Sequence, residues 1–164
     1  MPKITALTAL TDPISTDILP IVDDPGGSPV TKKITLSVLG RGMYVALDTP
    51  LTSTSWDGDA YSTTAKTVID LSAVFAVPAG VYAVDVGVVI RDSASAAGDY
   101  WICLGPTNAA GVGRRVRCSG LPNDSYTNGN FMVKCDASGD IFYQVAASGV
   151  GTMDITIQIH GYWV

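Results

Sequence analysis

His160 is the only histidine in the 164 residues, so any Ser-His-Asp or Cys-His catalysis would have to run through it. It falls in phase with Thr156 and Gln158 on the polar side of an alternating run, and no local motif supplies a nucleophile or an orienting carboxylate. A surface or interface histidine is the better reading. Asp57-Gly58-Asp59 sets two carboxylates around a glycine, as at the start of a calcium loop, but an EF-hand needs a terminal Glu and the chain has no Glu. An Asp-Gly turn without metal is expected there. Cys103, Cys118 and Cys135 stand 15 and 17 residues apart, which fits neither a CxxC zinc pair nor an even disulfide set, so buried free thiols are expected.

Arg114, Arg115 and Arg117 form the one basic cluster, and period two puts Arg115 and Arg117 on one face of a strand with Val116 and Cys118 on the other. Guanidinium forks match phosphate or an acidic sugar. Ion pairs with the many Asp residues of sister subunits are the stronger expectation. The stretch Leu121 to Asn130 carries Asn123, Asp124, Tyr126 and Asn128. It is ordinary turn composition that also offers polar partners beside a stacking ring, as a glycan-contacting loop would. With no Gly-rich phosphate loop, no H-E-x-x-H and no pair of Glu residues, neither an enzyme nor a cofactor is expected.

The elements that must hold these residues read as β-structure. All 15 acidic residues are Asp, while Val, Ile and Thr number 18, 12 and 16. Glu favours helices, Asp favours turns and caps, and β-branched residues fit a pleated sheet. The alternation is clearest in Val81 to Asp92, with Tyr82, Val84, Val86, Val88 and Ile90 on one face, and in the final run, with Met153, Ile155, Ile157, Ile159 and Trp163 on one face. Burying the first four of that run is worth about 6 to 12 kcal/mol, which marks a central strand. Weaker strands are expected at Met43 to Leu47, Lys66 to Leu71, Tyr100 to Gly105, Arg114 to Ser119, Phe131 to Cys135 and Ile141 to Ala146. Eight or so short antiparallel strands imply an all-β jelly-roll sandwich.

Only 15% of residues are charged and 47% are hydrophobic, with a net charge of −5. Soluble domains average about 25% charged residues, so part of the surface is expected to be covered by further copies. The acidic balance argues against a nucleic-acid partner, and the longest uncharged apolar run, Leu71 to Val84, is interrupted by Ser72, Pro78 and Gly80, so no membrane insertion is expected. The first residues lack the continuous apolar core of a signal peptide, which predicts synthesis and folding in a cytoplasm.

Residues 1–42 differ from the rest. Five of the nine prolines lie there, and the two apolar runs Ile18 to Val22 and Ile34 to Leu39 bury too little to close a core. This extended segment is expected to order on a partner, with Leu19, Ile21, Val22, Lys32, Lys33, Ile34 and Leu39 making the contact.

Two resemblances follow from these residues. Phe75-Ala-Val-Pro78-Ala-Gly80-Val-Tyr82 before an alternating strand, Gly139-Asp140-Ile141 opening a later one, and the close on Ile159-His160-Gly161-Tyr162-Trp163 resemble the complement-type and tumour necrosis factor-like jelly rolls. Across 43–164 that resemblance implies a homotrimer with its terminal strands near a threefold axis, and Tyr82, Val84, Ile155, Ile157, Ile159 and Trp163 as trimer or core positions. The Gly-rich region Gly105 to Gly113 departs from the family, so no ligand contact is carried over. Ile4-Thr-Ala-Leu7, Asp17-Ile18-Leu19-Pro20-Ile21-Val22-Asp23 and Thr31-Lys32-Lys33-Ile34-Thr35 resemble a leader on tailed-bacteriophage fibre and head-decoration proteins. It implies a head fibre or capsid-decoration role at the virion surface after assembly in the host cytoplasm. The dock would be the major capsid protein or another virion protein, and weak host attachment to a surface glycan would be a further task. A tail-fibre tip and a lectin-like trimeric adhesin are the alternatives.

Overall fold

The structure, a computed structural model, describes residues 18–23, 30–35, 42–57 and 66–164. The chain divides into two compact units, Met1–Met43 and Tyr44–Val164. In the first, β1 (Ile18–Asp23) and β2 (Val30–Thr35) pair antiparallel, with Leu19 opposite Ile34 and Ile21 opposite Lys32. The first apolar run therefore pairs chiefly with Thr31 to Lys33 and meets the second only at Ile34 and Thr35, where the sequence suggests two separate extended strips. Leu39 lies outside the described residues.

Among the described residues the second unit holds eight strands: β3 (Tyr44–Ser53), β4 (Thr67–Ile69), β5 (Ala83–Asp92), β6 (Trp101–Gly105), β7 (Arg114–Arg117), β8 (Thr127–Lys134), β9 (Ile141–Ala146) and β10 (Met153–Trp163). They form two four-stranded antiparallel sheets, ordered β3-β10-β5-β8 and β4-β9-β6-β7. First pairs with last inward to the middle: β3 with β10, β4 with β9, β5 with β8 and β6 with β7. A long hairpin folded over on itself in this way is a jelly roll.

The core lies between the sheets and follows from the alternation. Val84, Val86, Val88 and Ile90 of β5 lie beside Met153, Ile155, Ile157 and Ile159 of β10 on the inner face of one sheet, all at most 1% exposed. The other sheet contributes Ile69, Ile102, Leu104, Ile141 and Val145. A short helix, α1 (Leu71–Phe75), closes one side. Asp70 caps it by accepting from the Ala73 amide at 2.9 Å, and its two buried residues, Leu71 and Phe75, are one turn apart.

Three expectations change on the structure. Tyr82 is 41% exposed, because β5 begins at Ala83 and the ring precedes the packed strand. Trp163 leaves the core phase. Between Ile159, opposite Val86, and Gly161, opposite Asp85, β10 advances two residues while β5 advances one, so His160 is a bulge. Every later side chain changes sides, and Tyr162 faces Val84 and the core while Trp163 sits opposite Ala83 on the outer surface. Finally, β8 starts at Thr127, so Asn128 is a strand residue opposite Val89 rather than part of a loop.

Candidate functional site

The outer face of the β3-β10-β5-β8 sheet is the broadest feature that the strand register assembles. Thr156 and Gln158 of β10, Gly87 and Val89 of β5 and Asn128 and Asn130 of β8 share it, and none is charged. The bulge sets His160 over Gly87. A Cβ on that glycine would lie 2.5 Å from the His160 Nε2 and 2.9 Å from the Asn130 Oδ1, so any larger residue would push the imidazole and the Asn130 amide aside. Beyond the bulge the Trp163 and Tyr44 rings lie 4.5 Å apart, and the Tyr44 hydroxyl donates to Asp85 at 3.2 Å. At the opposite end Arg91 pairs with Asp154 at 2.5 Å and lies 5.1 Å from the centre of the Tyr126 ring. Charge borders this face and leaves its middle.

Of the trimer or core positions, Val84, Ile155, Ile157 and Ile159 are fully buried within one chain and offer nothing to a sister copy. Trp163 and Tyr82 remain at the surface. Among the described residues no hydrogen bond joins His160 to a serine, cysteine or carboxylate.

The loop residues are built into one end of the sandwich around Asp92, which the sequence reading did not single out. Asp92 is fully buried and accepts from the Ala94 amide at 2.8 Å, the Ser148 amide at 2.9 Å and the Thr152 hydroxyl at 3.3 Å. Burial opposes its ionisation, but the donors from Ser148, Ala94 and Thr152 outweigh it and hold the carboxyl below its ordinary range. Its own carbonyl accepts from the Asp124 amide at 3.1 Å, where Asp124 takes a left-handed φ of 60°. Asn123 accepts from the Ala96 amide at 3.1 Å. Asn123 and the Asp124 backbone are thus committed to joining loops, and Tyr126, 64% exposed, is the open member of the group.

Asp57 accepts from the Ile155 amide of β10 at 2.6 Å, a donor past the end of the β3 pairing. Asp59 lies outside the described residues, and among the described residues no group of three ligating side chains surrounds a metal position. The arginine cluster divides by role. Arg117 pairs with Asp99 of the same chain, which lies below the ordinary carboxylate range chiefly because of that bond. The expected ion pair to a sister subunit is therefore intramolecular for Arg117. Arg115 stacks on Trp101 at 4.2 Å. The phase is as read, with Val116 and Cys118 buried. All three cysteines are free and buried, and burial foremost pushes the Cys135 thiol up to about 12.

Lys66, also not singled out from sequence, is buried and donates to the Val112 carbonyl, fastening the Pro106 to Gly113 loop. Burial lowers its pKa. No run of residue types around it signals this, since its partner is a backbone oxygen 46 residues away. No helix among the described residues is long and apolar enough to cross a membrane. No family model and no curated protein matches this chain.

Proposed function

We propose that the chain is a non-enzymatic, homotrimeric structural protein of a bacteriophage virion. Residues 1–42 attach it to the major capsid protein or another virion protein. The jelly roll decorates the particle surface as a head fibre, where three heads add weak adhesion through effective concentration. The observation that carries this reading is the unlike build of the two units: a two-stranded hairpin, marginal by itself in water, and a jelly roll with its own core. The first gains by ordering on something larger. The uncharged middle of the β3-β10-β5-β8 face supports burial between copies, because apolar and neutral polar groups cost little to desolvate compared with charges.

Deleting residues 1–42 is expected to leave a folded trimer by sedimentation that no longer attaches to purified particles. A truncated chain that still decorates particles overturns the anchor, and one that sediments as a monomer overturns the trimerising head.

A further inference from the structure

We infer that the side of the sandwich between the edge strands β7 and β8 binds an acidic saccharide, with Arg114 and Lys134 taking its carboxylate. The inference deepens the adhesion part of the function proposed above and rests on it. Six cations lie in residues 44–164: Lys66, Arg91, Arg114, Arg115, Arg117 and Lys134. Four have partners already. Arg91 and Arg117 pair with Asp154 and Asp99, Lys66 holds the Val112 carbonyl, and Arg115 lies on Trp101. Arg114 and Lys134 remain, both exposed and without an ion pair among the described residues, and both line one recess of about 320 Å³.

The two cations come from different edge strands, Arg114 from β7 and Lys134 from β8, and the exposed Met132 lines the same recess. Lys134 also lines a second recess of about 550 Å³ that continues to Tyr82 and Asp136. Asp136 turns Oδ1 to the Ser138 and Asp140 amides at 2.8 and 3.0 Å, so that oxygen is engaged within its own turn. Both volumes suit a small ligand, for which about 300 to 1,000 Å³ is usual. A guanidinium fork matches a carboxylate bidentately, and the exposed Tyr82 ring offers a face to the C–H side of a sugar. A free inorganic anion would use the cations and leave the exposed Met132 and Tyr82 side chains unused.

Calorimetric titration of the full chain with trigalacturonate, against neutral galactotriose, tests this. Trigalacturonate binding is expected, with none for galactotriose, and the affinity should fall about ten-fold in the Arg114→Ala, Lys134→Ala double variant and about five-fold in Tyr82→Ala. Equal binding of the two sugars, an unchanged double variant, or displacement by equimolar inorganic phosphate overturns the inference. So does a double variant that sediments as a smaller assembly, because the cations would then serve contacts between copies. Wild-type chain that attaches to particles yet binds no trigalacturonate overturns this inference alone, and chain that binds the sugar but no particle overturns the virion reading alone.

Discussion

On one face of β10, Met153, Ile155, Ile157 and Ile159 are fully buried, whereas on the other Thr156, Gln158 and His160 stay half-exposed beside Gly87, Asn128 and Asn130. The first set is satisfied within a single chain. The second is neutral, small or polar and keeps part of its surface open. On the trimer proposed above, folding and assembly would use opposite sides of one strand, and a low charge content does not by itself say which side serves which purpose.

The largest effect should come from Ile157→Asp, which places a carboxylate among fully buried aliphatic groups and should cost about 4 kcal/mol or more, a large part of a domain's stability. The expected readout is loss of soluble, folded head by circular dichroism, and a folded monomer would mean that this face serves assembly. Next, Asp92→Asn should cost about 3 kcal/mol in urea unfolding by weakening charge-assisted bonds from Ala94, Ser148 and Thr152. Because the folded pKa of Asp92 is depressed, its contribution is fully present above the unfolded value of about 3.9 and is lost as pH falls through the folded value. The wild-type melting temperature should therefore drop on acidification below that value more steeply than the variant's. Smallest in stability is Gln158→Asp on the outer face, expected to move unfolding by no more than about 0.5 kcal/mol. Like charges repeated around a symmetric contact should nonetheless weaken the trimer, and sedimentation showing intact assembly would remove this face from the interface.

Much of the sandwich is legible because its strands obey a period of two. Ile141 to Ala146 matches β9 at both ends, and the central position of β10 follows from its four aliphatic residues. What alternation cannot carry is an inserted residue, so Trp163 reads as core until the bulge at His160 reverses the phase. Asn128-Gly129-Asn130 has turn composition, yet it lies in β8 because a neighbouring strand pairs with it. Gly129 is needed there, since a Cβ would come 2.8 Å from the Val116 Cγ2 of the other sheet. The site residues were less legible for a different reason. Asp92 acts through backbone amides, Lys66 through a carbonyl, and Arg114 and Lys134 line one recess only because β7 and β8 are both edge strands.

The nested pairing also constrains the order of events during synthesis. Within its sheet β3 has β10 as its only neighbour, and β10 is also what covers one edge of β5. A nascent chain leaving the ribosome therefore holds β3 unpaired, and Val84 to Ile90 without their main packing partner, until the last strand emerges. Closure of this sheet waits for β10, and the interval before it is when the head is most vulnerable to aggregation.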